Sequence, residues 1–340
     1  MSGLRRKIAE KKAAEEAAKV LELPESSLAT LRIGGDPSPV TSHTHEGFAV
    51  QQTVGRGLGC FALADIAPGT RIISEKPLLE RSLNEIEEAD EPVEAMEAFV
   101  AAALKPSERV EYDALCMHAA QNLEDGADKT AYGIWSTNAY TLKSEVVSGQ
   151  APPEERAAIF TIISRFNHSC QPTAHVAWNG RIGRMTVHAL TPIRAGEEIT
   201  VSYCLVGDGN VRDARQSHLS KTFGWTCRCR LCALEGPARV ESDARQTRIK
   251  ELAALLAHNP PITLELVAER LALLAEEGLH TNWGTHAVAM SFLQRCGDEG
   301  GAQDWAAQAA DSVKLAMGED CDEYLRYELL SELGELMGEF

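Results

Sequence analysis

The chain has 340 residues, 44% of them hydrophobic and 24% charged, which supplies a real core and more length than one average domain needs. Its formal net charge of −17 gives no sign of the dominant basic face that nucleic-acid binders carry, and an acidic surface favours a basic partner or serves solubility alone. No apolar run approaches the ~18 residues of a membrane span, and no apolar signal core follows the start Met1–Lys7, so an intracellular protein is expected, with nucleus and cytoplasm not separated.

In chain order, residues 4–20 are charged and alanine-rich and predict an exposed helix, and residues 34–47, rich in Gly, Pro, Ser and Thr, predict a linker. Short β-branched runs at Phe48–Thr53, Cys60–Leu63 and Thr70–Ser74, parted by Gly55–Gly59 and Pro68-Gly69, predict a β-meander. Residues 81–131 are acidic and helix-patterned, with breaks at Pro92 and Pro106. Ala174–Trp178 and Arg184–Ala189 flank Asn179-Gly180, a hairpin signal, and Ile199–Tyr203 predicts a further strand. From about Ser242 the pattern predicts four or five antiparallel helices.

Nine cysteines without a secretory signal favour thiols or metal ligands over disulfides. Cys60, Cys116, Cys296 and Cys321 are read as ordinary buried thiols. Cys227, Cys229 and Cys232 differ, because three thiolates within six residues can take three corners of a tetrahedral Zn²⁺. The fourth ligand must come from elsewhere, and Cys170, in another polar segment, is the natural candidate. Four sulfurs would close the site, making it structural.

Three other segments carry chemistry. Gly55-Arg56-Gly57-Leu58-Gly59 lies between strands; with no third glycine at the required spacing and no helix following, it is not a dinucleotide fingerprint. The others are Asn167-His168-Ser169-Cys170-Gln171-Pro172-Thr173 and Gly196-Glu197-Glu198-Ile199-Thr200-Val201-Ser202-Tyr203. Taken singly, each is as readily a glycine turn, a satisfied polar turn or a strand ending in a core tyrosine.

Together and in this order, the four segments resemble the SET-domain family of protein lysine methyltransferases, over about residues 46–235. The insert and C-terminal helices are similar to fungal-type SET proteins and the SET–MYND subfamily. The MYND zinc module is absent, since residues 81–131 offer only Cys116 and His118 as soft ligands. The resemblance implies an α+β fold: a β-rich SET core (β-clip with a pseudoknot), a helical insert, a zinc-binding post-SET segment and a C-terminal helical domain. The expected divisions are 1–45, an N-terminal helix and linker; 46–80, the first part of the SET domain; 81–150, the insert; 151–206, the SET core; 207–241, the post-SET segment; and 242–340, the helical domain.

The implied cofactors are S-adenosylmethionine and Zn²⁺. By similarity, Arg56 and the backbone of Gly57, Leu58 and Gly59 hold the cofactor's carboxylate end, Asn167 its amino end, and the His168 backbone its adenine. Asn138 matches a further cofactor-contacting asparagine of the subfamily. Tyr203 matches the catalytic tyrosine. Tyr140, Phe223 and Trp225 would line the lysine channel or the adenine face, and Cys170, Cys227, Cys229 and Cys232 would hold zinc. The implied partner is a basic, lysine-containing protein segment met by a monomer. Two positions depart from the family pattern. Thr173 replaces an asparagine that braces the loop and can make fewer hydrogen bonds, and Phe223 stands where the subfamily often has a tyrosine. A cofactor-binding scaffold with little catalysis, or a SET fold turned to a small molecule, is the alternative.

Overall fold

A computed structural model describes residues 44–87, 90–117, 130–142, 155–204, 208–257 and 263–333. The helix expected over residues 4–20 lies outside them. The linker expected over 34–47 ends differently: its last residues form β1 (Thr44–His45), which pairs with β2 (Phe48–Thr53).

β2 and β3 (Gly57–Ala62) make an antiparallel hairpin in which Phe48, Val50, Cys60 and Ala62 are buried. The expected meander stops there, because β4 (Arg71–Glu75) leaves for a second sheet. It pairs with β10 (Arg184–Ala189), which pairs with β9 (Ala174–Asn179), giving the order β4-β10-β9. The place beside β3 is taken by β11 (Glu198–Val201), and β11 pairs in parallel with β8 (Asn167–His168). Local alternation cannot foretell this exchange, since pairing partners are set by packing across the whole sheet. Phe48, Phe160, Ile163, Phe166, Val187 and Ile199 close the core between the sheets, with Phe48 and Phe166 ring centroids 5.5 Å apart. The β9–β10 hairpin forms as expected, with Asn179 Oδ1 accepting the Arg181 N–H at 3.1 Å to start the turn.

The insert contains α1 (Leu83–Glu87), α2 (Pro92–Ala103), α3 (Pro106–Asp113) and α4 (Ala131–Asn138). Both prolines open helices, where the missing N–H costs nothing. A third sheet, β5 (Leu79–Ser82), β7 (Arg156–Ile159) and β6 (Tyr140–Leu142), clamps the ends of the insert in the order β5-β7-β6. Met96, Val100, Tyr112, Leu115 and Trp135 form its core, and the Tyr112 hydroxyl donates to the Ala131 carbonyl at 2.7 Å.

After β11 comes α5 (Arg212–Phe223), then α6 (Gly236–Ala257), α7 (Leu264–Glu276), α8 (Trp283–Cys296), α9 (Glu299–Met317) and α10 (Asp322–Leu333). α9 buries Ala302, Ala306, Ala309, Ala310 and Ala316. These short side chains bring it close to Leu190 and Ala177 of the second sheet. Arg71, His188, Asn179 and Asp320 tie the same face: Arg71 donates to His188 Nε2 at 3.1 Å and to Asp320 Oδ2 at 3.0 Å, and Asn179 donates to Asp320 Oδ1 at 3.1 Å. Of the four scattered thiols, Cys60 and Cys321 are buried as expected, but Cys116 and Cys296 are exposed. Cys116 sits in a loop and Cys296 ends α8, so neither lies on a core-facing position.

Candidate active site and metal centre

The site is built on the chain segment that enters β8. Buried Phe160, Ile163 and Phe166 anchor it in the core. Glu75, at the end of β4, accepts the backbone N–H groups of Ile162 and Ile163 at 3.0 and 2.8 Å and caps the short turn Ile163–Arg165. Burial raises the Glu75 carboxyl above its ordinary range, opposed by these hydrogen bonds. The turn delivers Asn167 and His168 opposite Thr200 and Val201. Thr173 then locks the loop: its hydroxyl accepts the Thr200 N–H at 2.9 Å. The replacement of asparagine by Thr173 thus keeps a tie to β11.

Gly59 stands where three segments converge. A Cβ there would lie 2.6 Å from Glu198 Oε1 and 2.8 Å from Asn167 Nδ2, so no side chain fits. Asn167 Nδ2 donates to Glu198 Oε1 at 2.8 Å and to the Leu58 carbonyl at 3.1 Å. The other oxygen of Glu198 pairs with the Arg56 guanidinium. In front of Gly55 and Gly57 a Cβ would meet nothing within 4 Å, so the hairpin presents bare, open backbone beside a guanidinium and an amide. This donor set suits the zwitterionic end of an amino acid.

Beyond β11, Tyr203 turns into an aromatic nest. Its ring centroid lies 5.2 Å from Phe223, 5.3 Å from His168 and 6.3 Å from Trp225. Phe223 and Trp225 flank Gly224, whose φ of +78° ends α5 and turns the chain back. The Tyr203 hydroxyl donates to the Phe166 carbonyl at 2.8 Å, and burial pushes its pKa well above the ordinary phenol value, with Tyr140 adding to the rise. Tyr203 is therefore a neutral phenol at physiological pH and not a base. Its backbone N–H donates to His168 Nδ1 at 3.0 Å.

A cluster of four cysteines that could hold a metal adjoins the nest. The sulfurs of Cys170, Cys227, Cys229 and Cys232 all lie within 4.8 Å of one another, with Cys170 and Cys232 at 3.6 Å. A tetrahedral ion with Zn–S bonds of ~2.3 Å needs sulfurs about 3.8 Å apart, so the tetrad can hold one with little adjustment. Gln216 fixes the segment by pairing both backbone groups of Cys227, at 2.7 and 2.8 Å. Arg215 Nη2 approaches Cys232 Sγ at 3.8 Å and balances thiolate charge. Hydrogen bonds from its three neighbours hold the Cys229 thiol below its ordinary range, while the same crowding holds Cys170 above it.

Asn167, His168, Tyr203, Phe223, Trp225 and the four cysteines are thus brought together, and Arg56, Gly57, Leu58 and Gly59 reach them through Glu198 and Asn167. Tyr140 packs on the same core as Tyr203, with its ring 6.1 Å from Phe160. Asn138 is buried and spends its amide N–H groups on the carbonyls of Cys116 and Ile134, at 2.7 and 2.8 Å. Two residues of weight escaped the motif reading. Glu198 was visible only as the second acid of Gly-Glu-Glu. Glu277, 1% exposed, joins Ser242, Arg245 and Gln246 through its carboxylate while its carbonyl accepts from Gln171 at 2.7 Å, bracing the Cys170 loop. The ninth cysteine, Cys204, packs against the tetrad, and burial pushes its thiol up to about 11.

Comparison with known proteins matches residues 57–204 to the SET domain. The chain is 28% identical to "Histone-lysine N-methyltransferase set5" of Schizosaccharomyces pombe over 279 residues, 80% of this chain and 79% of that protein. It is 37% identical to "Histone-lysine N-methyltransferase SET5" of Meyerozyma guilliermondii over 78 residues, 22% of this chain and 16% of that protein. It is 28% identical to "N-lysine methyltransferase SMYD2" of Gallus gallus over 134 residues, 39% and 26% of the two chains. Among the described residues, no helix is long and apolar enough to cross a membrane.

Proposed function

Because the chain belongs to the SET-domain family through residues 57–204, with histone- and N-lysine methyltransferases as relatives, we propose that this protein lysine methyltransferase moves a methyl group from S-adenosylmethionine to the ε-amine of a lysine in a basic protein segment. The carrying observation is the parallel pairing of β8 with β11, which sets Asn167 and Tyr203 on adjoining stretches of chain.

S-adenosylmethionine supplies a methyl group on a positively charged sulfur. Asn167 and the backbone of the Gly55–Gly59 turn, open at Gly55 and Gly57, hold its amino-acid end. Arg56, one of whose nitrogens meets Glu198, keeps further N–H donors for the carboxylate. The lysine attacks as a neutral amine after releasing its proton to solvent. Loss of water between Phe223 and Trp225 and the positive charge on the cofactor's sulfur disfavour an ammonium there and so lower the lysine pKa. The Tyr203 oxygen has committed its proton to the Phe166 carbonyl, which leaves its lone pairs to receive the amine N–H and align it. Alignment and exclusion of water carry most of the acceleration. The four cysteines hold a structural Zn²⁺ that keeps Phe223 and Trp225 against Tyr203. The net charge of −17 favours a basic substrate segment.

Calorimetric titration with S-adenosylmethionine, followed by methyl transfer to purified histones and to cell extract, tests the reading. Binding plus transfer to lysine is the expected result. Binding without transfer would reduce the protein to a scaffold, and transfer to a metabolite alone would assign it a small-molecule substrate.

A further inference from the structure

The His168 side chain lies between the metal centre and the tyrosine. Its ring is buried, Nδ1 faces the Tyr203 backbone nitrogen at 3.0 Å, and Nε2 faces Cys170 Sγ at 3.2 Å. A peptide N–H can only donate, so Nδ1 must present a lone pair. A neutral imidazole with a bare Nδ1 carries its hydrogen on Nε2, and that hydrogen points at the sulfur. A thiolate bound to a metal is a far better acceptor than a thiol, and the partner of a ring's second nitrogen is what fixes its tautomer. One ring therefore spans the two centres with both nitrogens used. Its face also packs on Tyr203 and Trp225, at 5.3 and 5.7 Å.

We propose that the His168 imidazole is a positioning residue that couples the occupied Cys170–Cys227–Cys229–Cys232 site to the placement of Tyr203. The inference rests on the proposed activity only for its consequence in turnover. The link itself is a matter of ring tautomer and hydrogen bonds. The thiolate of Cys170 holds the Nε2 hydrogen, the Nδ1 lone pair is thereby aimed at the Tyr203 N–H, and Tyr203 is held where its hydroxyl reaches the Phe166 carbonyl. When the sulfur site is empty, Cys170 reverts to a thiol, a weaker acceptor, and the Nε2 arm holds the ring less firmly. The part played by the His168 backbone toward adenine is separate and needs no particular ring state.

The test is the nitrogen-15 spectrum of histidine-labelled full-length protein loaded with cadmium-113 in place of zinc. The expected result is one ring protonated at Nε2 alone, with a scalar coupling from that hydrogen to cadmium across the sulfur, lost when a chelator strips the metal. A ring protonated at Nδ1, or no coupling in the loaded protein, overturns the link whatever the protein methylates. If the signature is present but no lysine is methylated, the link stands and the functional reading fails.

Two variants separate the arms of the ring. His168→Gln places an amide N–H near the Nε2 position but no acceptor near Nδ1. It is expected to release zinc to a chelator at the wild-type rate while kcat falls about tenfold or more with KM little changed. His168→Asn places an oxygen near Nδ1 and nothing near the sulfur. It is expected to lose zinc about tenfold faster, with the smaller loss of kcat while loaded. Equal loss of zinc and turnover in both variants overturns the proposal, because the ring would then be core packing alone.

Discussion

Asn167 and Glu198 meet across 31 residues of sequence at 2.8 Å, and Gly59 sits against both with no room for a methyl group. The absence of a side chain at Gly59 is thus a condition of the contact. Gly59→Ala must push the amide or the carboxylate aside. It is expected to weaken S-adenosylmethionine binding by about tenfold or more, ~1.4 kcal/mol, measured by calorimetry. Glu198→Gln keeps an acceptor for Asn167 and loses only the charge that holds Arg56, so its effect should be smaller. A Gly59→Ala protein that binds the cofactor normally would remove this junction from the cofactor site.

Tyr203→Phe deletes one hydroxyl while keeping a ring in the nest with Phe223 and Trp225. Folding and cofactor affinity should change little. Turnover should fall by about a hundredfold or more, because the group proposed to align the amine is gone. Single-turnover methyl transfer with saturating cofactor separates the two effects. Raised pH should not rescue the variant, since burial already keeps the wild-type phenol protonated.

The sulfur tetrad predicts one zinc per chain by elemental analysis. Cys229→Ser should lose most of it and lower the melting temperature by roughly 10 °C. Cys204→Ser is the matched control. That thiol packs beside the tetrad but lies outside it, and burial keeps it protonated. Zinc lost equally from both variants would defeat the four-ligand assignment.

His188 predicts an acid-sensitive joint between the second sheet and the helical half. Burial, reinforced by Arg71, holds its ring neutral down to about 4. An unfolded histidine takes its proton near 6.5. Between these values the unfolded chain binds a proton that the folded one refuses, so this contribution to stability is complete above about pH 6.5 and drains away toward pH 4. The loss is on the order of 3 kcal/mol. Asp320, depressed by Arg71, adds a loss of the same sign below the ordinary carboxyl range. Urea unfolding at pH 7.0, 5.5 and 4.5 should show a flatter decline for His188→Gln, and parallel declines in the two proteins would contradict the assignment.

What sequence made legible was chemistry carried by short runs of special residues. Cys227-x-Cys-x-x-Cys could be named alone, whereas the Asn167–Cys170 segment and Tyr203 could be named only together and in order, and the fold sets them side by side. Pairing was less legible. β4 looks like the third strand of a meander, yet Ile73 pairs with Val187 and β11 takes the vacant edge. β7, Arg-Ala-Ala-Ile, has no alternation to read, because Ala157, Ala158 and Ile159 are all buried. α5 lacks an apolar stripe and so went unseen, its inward face being Arg215, Leu219, Thr222 and Phe223. Glu198 and Glu277 act only through residues far away in sequence, and a one-dimensional pattern carries no trace of such meetings.

The sulfur donors straddle a long stretch of synthesis. Cys170 precedes Cys232 by 62 positions, and between them runs β11, which lies against β8 in the folded chain. A nascent chain emerging from the ribosome thus carries a single stranded ligand until the final three are made. A metal held by all four sulfurs would tie the two ends of this stretch together and act as a latch on the pair of β8 and β11.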